Sequence, residues 1–351
     1  DLLKRVPISF SFNKISINYF HGFCKDVLND YGVNIPFFDE ETKEDDFGEV
    51  ESTAEKEKYF REDITNLVLE TIKGKKIFKH DAIFLDEGQD YYYEWYNLLK
   101  NFIGERDEFV VFCDKKQNIY DRDYQWLDKR RPGLEKFGDW NDMKDTYRLP
   151  ETISNAANDF SKDFNLNQEV KQEKNNSQLN LFFDKEPHFL WKNIKSENYI
   201  DEIWESFLLL KEEGFHPSDI CIILPYHNTG IDCRKFFETK GVETNDVFGA
   251  DYTSQKRHKM SFYQGDSRLK MCTIHSFKGW EAANVIFYIP KQILKDWLIP
   301  IKEEKDCIIL DSLVYTAITR SKLNVLILNS HYRYIKFGEK YLSSINNIKF
   351  K

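Results

Sequence analysis

Two α/β units in tandem, each built on a parallel sheet, are what this sequence predicts. The first ground is a pair of short apolar runs, Ala82–Leu85 and Phe109–Phe112, each bounded by charge. That is the pattern of a strand covered on both faces in a parallel sheet. The second is a regular alternation of strand-like and helix-like segments from about residue 179 onward. The third is a cluster of breakers, Pro132, Gly133, Gly138 and Pro150, marking a change of unit. We set the units at 1–142 and 143–351. A chain of 351 residues, 41% of them apolar, has room for two cores.

Along the chain, the stretch from Asn13 reads as a strand, then a turn, then a helix through about Asn29. Residues 39–63 are acidic and polar, densest at Asp39–Asp46, and read as a solvated loop before a helix ending near Ile72. Tyr91–Leu99 reads as a helix. Its face of Tyr92, Trp95, Tyr96 and Leu99 is expected to be core in preference to an aromatic binding surface. Pro150 and Glu151 open a helix to about Phe160, followed by a polar loop over 165–177. Strands are then expected near 179–183, 220–224, 269–274, 285–289 and 324–328, with helices at 199–213, 228–240 and 310–319.

Composition narrows the function classes. A net charge of -9 gives no broad electrostatic attraction for nucleic acid, which leaves only a local basic groove. Six cysteines without a CxxC pair read as reduced packing thiols of a cytoplasmic protein. Eight histidines show no HxxxH or HExxH spacing, which argues against a histidine metal centre. The longest apolar runs, such as Val325–Leu328, are far too short to span a bilayer, so no membrane partner is expected. The chain begins with Asp and is expected to be a fragment or a processed chain.

The chemistry lies in five segments. Asp86 and Glu87 follow the first apolar run directly, at the strand end where open α/β sheets hold ligands. Paired carboxylates there suit an Mg²⁺ ion that keeps its waters, the second one being free to orient or deprotonate an attacking water. Alone, such a pair is more simply a helix cap. Gln89 and Asp90 beside it, with Asp114 and Gln117 after the next run, turn the balance. Thr146-Tyr147-Arg148-Leu149-Pro150 follows. After a gap come Thr273-Ile274-His275-Ser276-Phe277-Lys278-Gly279-Trp280-Glu281 and Val314-Tyr315 through Thr319-Arg320-Ser321. A carboxylate pair, a polar sensor and two arginines are the set that removes the terminal phosphate of a nucleotide. No GxxxxGK[ST] loop occurs in the sequence.

In this order the segments resemble motifs II to VI of superfamily 1 helicases of the UvrD/Rep type, over about 81–328. Tyr19-Phe20-His21-Gly22-Phe23-Cys24 is similar to a segment ahead of motif II in that family. The resemblance implies tandem RecA-like domains, the first truncated and lacking its Walker A region, and a motor driven by ATP and Mg²⁺. It implies a helicase or translocase moving 3′ to 5′ on single-stranded or partly duplex DNA, with RNA left open. Asp86 and Glu87 would hold Mg²⁺, Glu87 activating the water, and Gln117 would sense the γ-phosphate. Arg148 and Arg320 would be arginine fingers. Gln89, Tyr147, Gly279 and Glu281 would line the nucleotide, Tyr147 on the adenine and Glu281 at the ribose. His21, Thr273 and His275 would lie near the nucleic acid. Alternatives are a helicase-derived module that binds nucleic acid or a partner without hydrolysis, or the motor part of a nuclease–helicase fusion.

Two further departures stand out. Tyr120 is followed by Asp121-Arg122-Asp123 where the family has Trp-Arg, so Tyr120, Tyr124 or Trp126 would have to supply the stacking surface. About 25 residues separate the strand after Lys240 from motif V, which leaves no space for a large accessory insertion.

Overall fold

A computed structural model of the protein describes residues 14–34, 57–120, 122, 125–127, 140–141, 149–166, 186–249, 251–263, 265–291, 294–295, 299–300 and 304–341. The architecture is α/β with parallel sheets, in line with tandem RecA-like domains. Two compact units separate, one of 1–114 and 122–135, the other of 115–121 and 136–351. Among the described residues no helix is long and apolar enough to cross a membrane.

In the first unit, helix α1 (Phe20–Asp30) follows an extended stretch, and a π turn at Tyr59–Asp63 leads into α2 (Ile64–Ile72). Strand β1 (His80–Leu85), helix α3 (Tyr93–Leu99) and strand β2 (Ile103–Val111) complete it. The expected strand after Asn13 is not formed among the described residues: there Ile15–Tyr19 pairs with no strand, and Ile17 is 81% exposed. β1 and β2 pair in parallel, with Ile83 opposite Phe109 and Leu85 opposite Val111. Burial of β1 on both faces is likewise not met, because Phe84 is 65% exposed. Among the described residues each of these strands has only one neighbour, so shelter comes mainly from one side. That side is aromatic. Tyr92, Trp95, Tyr96 and Leu99 are all buried, as their spacing predicts. Trp95 stacks on Phe20 with centroids 4.5 Å apart, and Tyr96 meets Phe109 edge-on at 5.2 Å.

The second unit follows the alternation closely. Helix α4 (Glu151–Asp163) precedes strand β3 (His188–Asn193), helix α5 (Tyr199–Glu212), strand β4 (Ile220–Ile223) and helix α6 (His227–Thr239). Strand β5 (Thr244–Asp246) and helix α7 (Tyr252–Ser261) come next, then β6 (Leu269–Cys272) and the single turn α8 (Ile274–Phe277). Strand β7 (Ala282–Ile289) leads through the short antiparallel pair β8 (Leu294–Lys295) and β9 (Ile299–Pro300) to helix α9 (Glu304–Ile318). Strand β10 (Ser321–Asn329) and helix α10 (Ile335–Glu339) close it. The sheet order is β3-β10-β7-β4-β6-β5, every pair parallel. β4 and β6 are buried at every position, as a sheet covered on both faces requires.

The strand expected near 179–183 lies outside the described residues. The strand expected after Lys240 is β5, whereas α7 has no counterpart in the sequence-based reading. Polar groups on the central strands β7 and β10 are partnered. Asn324 donates to Asn284 Oδ1 at 2.7 Å and accepts from His188 N at 3.0 Å. Asn284 donates in turn to the Asp219 carbonyl at 3.2 Å. Cys24, Cys221, Cys233 and Cys272 are buried free thiols, and burial pushes Cys24 up to about 12.

Candidate active site

In the first unit the two parallel strands deliver their C-terminal ends to one edge. The ladder continues past β1, with Phe112 N donating to Leu85 O at 2.8 Å and Gly88 N to Phe112 O at 2.7 Å. This close approach explains Gly88. A Cβ there would stand 2.5 Å from Val111 Cγ1. Glu87 sits in the left-handed region at φ 52° and ψ 47°, a conformation that costs a glutamate on the order of 1 kcal/mol or more. Its carboxylate is held by Gln89, whose Nε2 donates to Oε2 at 2.5 Å. Gln89 is fully buried and accepts from Asp114 N at 3.0 Å, so the first strand end is tied to the second. Asp86 accepts from Glu87 N at 2.9 Å and remains exposed.

These residues fit the ligands the resemblance implies. Mg²⁺ at a nucleotide site needs only one or two carboxylates, with phosphate and water completing its shell. An exposed Asp86 beside an oriented Glu87 provides that. Among the described residues no cluster of three or more acidic, histidine or cysteine side chains offers a denser metal cage.

Two sequence-based nucleic-acid candidates lie elsewhere in this unit. Trp126 is a correction. It is 1% exposed, stacks on Tyr96 at 5.1 Å and donates from Nε1 to Tyr91 O at 2.8 Å, so it offers no face to a base. The indole is drawn inward because its apolar area exceeds that of any neighbour and its N–H finds a carbonyl. His21 is half-buried, Nε2 lying 2.9 Å from Phe60 O, and burial pushes its pKa down. Arg122 was not foreseen. It donates to the Asp90 carbonyl and lies over Tyr92 and Trp95 at 4.7 and 4.9 Å, clamping the loop that carries the carboxylates.

The second unit gathers the remaining residues around the short segment 115–121. Gln117 is buried there, and its Oε1 accepts from Arg320 Nη2 at 2.7 Å. Its backbone carbonyl accepts from Lys278 Nζ at 2.9 Å. Arg320 is buried, unlike an arginine finger that lies open in a cleft. Only 2% of it is accessible, and it also donates to Thr316 O at 3.2 Å and Thr319 Oγ1 at 3.3 Å. A guanidinium is the cation best suited to such burial, since its fork can satisfy several acceptors at once.

Tyr120 is 43% exposed, with His275 at 5.6 Å and the Lys278 ammonium 5.4 Å from its ring. Thr273 is buried and caps α8, accepting from Ser276 N at 3.3 Å. Desolvation, then the charges of Lys278 and Lys259, push the His275 pKa down against a hydrogen bond with the Ile119 backbone. Because His275 keeps an exposed edge, solvent moderates the desolvation. Gly279 adopts φ +81°, open to glycine, and Glu281 pairs with Lys322 at 2.7 Å. Tyr147, Arg148 and Tyr124 lie outside the described residues. The structure therefore brings Gln117, Arg320, Tyr120, His275 and Lys278 into one cluster. Lys278 could have been singled out from the motif that contains it.

No known protein family matches the chain, and no curated protein does. One solved structure similar to it is the C-terminal domain of a possible DNA helicase from Lactobacillus plantarum WCFS1. It is 14% identical with a TM-score of 0.32, over 53% of this chain and 89% of that one. A likeness that faint identifies neither family nor activity.

Proposed function

We propose that this chain carries the motor portion of an ATP-dependent nucleic-acid helicase or translocase, acting in the cytoplasm on single-stranded or partly duplex DNA. Movement from 3′ to 5′ follows from the motif resemblance. The observation that carries the reading is the hold on Gln117. One buried side chain takes the Arg320 guanidinium, while its backbone takes Lys278, which also lies over exposed Tyr120 beside His275. A group sensing phosphate and a surface meeting nucleic acid are thus within two contacts of each other.

The chemistry assigned to the residues is simple. Glu87, oriented by Gln89, takes a proton from the attacking water. Asp86 would hold Mg²⁺, which when bound would offset charge on the transferred phosphoryl group. Arg320 and Arg148 supply positive charge as hydrolysis proceeds, and Gln117 relates the occupancy of the site to the Tyr120–His275 face.

The test uses the complete protein, on condition that it carries a phosphate-binding loop. Glu87→Gln should lower nucleic-acid-stimulated ATP hydrolysis by roughly 100-fold or more, the scale of a lost general base, while nucleotide affinity is kept. Loss of affinity would make Glu87 structural. Absence of hydrolysis in the unmodified protein, with DNA binding retained, would favour a binding module.

A further inference from the structure

We propose that α7 binds the phosphate backbone of single-stranded nucleic acid, as a cationic rail beside the Tyr120–His275 face. This rests on the motor reading of that face.

The sequence of α7 runs Tyr-Thr-Ser-Gln-Lys-Arg-His-Lys-Met-Ser. It holds Lys256, Arg257, His258 and Lys259 and no acidic residue, in a chain whose net charge is -9. Lys256, Arg257 and Lys259 are exposed. Among the described residues none of these three forms an ion pair. A helix normally earns its place by burying an apolar stripe. Among its described side chains this one has none: its one large aliphatic side chain, Met260, is 81% exposed.

Polar anchors hold the helix instead. His258 Nδ1 lies 3.2 Å from Asp246 Oδ1, and Asp246 is itself buried against Arg234 at 3.3 Å and Phe248 N at 2.9 Å. Asn245 donates to Ser261 O at 3.1 Å, and Asp251 caps the first turn by accepting from Ser254 N at 2.8 Å. One basic residue is thus used to fasten the helix and three are left facing solvent. Phe262, the residue after α7, stacks on Trp280 with centroids 5.0 Å apart, which sets the end of the helix beside the segment that carries His275 and Lys278. Gln255, Lys256, Lys259 and Met260 line a cleft of about 270 Å³. Met260 and Tyr263, the latter 67% exposed, offer flat apolar surface to bases at the end of the helix.

The partner class follows from this chemistry. A membrane-surface helix needs an apolar face, which α7 lacks. Exposed cations next to aromatic surface match a phosphodiester chain with bases to stack, and an acidic peptide would leave Tyr120 and Tyr263 unused.

Binding of a labelled oligo(dT) strand to the full chain, followed by anisotropy across a salt series, tests the proposal. K256A/R257A/K259A should weaken binding at least about tenfold. It should reduce the slope of log affinity against log salt by about 2, the release expected for three single-strand phosphate contacts. Melting should be unchanged, and K256R/K259R should bind as the parent does. Unchanged affinity and slope in the triple variant would make α7 a solvated face and overturn the proposal, with the motor reading intact. Competition by polyglutamate or anionic vesicles as strong as by oligo(dT) would overturn it as well. Failure of the parent chain to bind oligo(dT) would remove both readings.

Discussion

Arg320 shows how far a residue's surroundings can depart from its place in the sequence. The arginine-finger role that the resemblance implies would make it an exposed cleft group. Instead it is buried, and its acceptor Gln117 is 203 positions away in the chain. Arg320→Ala should therefore destabilise the fold by about 2–4 kcal/mol, since it removes a buried hydrogen-bond network that reaches Gln117, Thr316 and Thr319. A surface arginine would cost almost nothing. Urea unfolding of the variant decides between them, and an unshifted midpoint would mean the guanidinium is solvated. The carboxylates were more legible. Asp86 and Glu87 declared themselves because charge following an apolar run has one sensible place, the strand end. The hold of Gln89 on Glu87 and on Asp114 N was not legible, because it depends on how two strand ends meet.

Among the elements, those with a strong period were readable and those held by polar contacts were not. α3 was foreseen with its buried face because Tyr92, Trp95, Tyr96 and Leu99 recur at helical spacing. α7 was missed because it has no apolar period. β1 was foreseen in place but not in burial, since a run of apolar residues does not tell how many strands flank it. A short 3₁₀ turn at Tyr332–Tyr334 also rests on a polar anchor. His331, 5% exposed, accepts the Arg333 N–H on Nδ1 at 3.2 Å. Burial, then the Arg333 charge, pushes the His331 pKa below its usual value. Above about pH 6.5 the ring is neutral folded and unfolded alike, and contributes nothing to pH dependence. Below it the unfolded chain takes up a proton that the folded chain refuses. Stability then falls by up to about 1.4 kcal/mol per pH unit until the lowered folded value is passed. Unfolding at pH 7.5 and 5.5 should show the loss, and His331→Asn, which keeps an acceptor without titrating, should reduce it. Equal pH dependence in both proteins would contradict this account.

At the scale of the molecule, the tandem parallel-sheet reading was legible because alternation and breakers are long-range features of the sequence. This 351-residue chain, having no phosphate-binding loop in its sequence, should show ATPase activity no greater than background with or without single-stranded DNA. Turnover that disappears on Glu87→Gln would refute that. The allotment of residues between the units carries a different consequence. The chain leaves the first unit after Asp114, gives seven residues, 115–121, to the second, and returns at Arg122. No single cut can separate two folds interleaved in this way. A piece beginning at Lys136 would lack Gln117, Ile119 and Tyr120, and would open the buried berth of Arg320 to water. Expression or recombination of the second unit by itself must therefore carry this borrowed strap along, or supply it as a peptide.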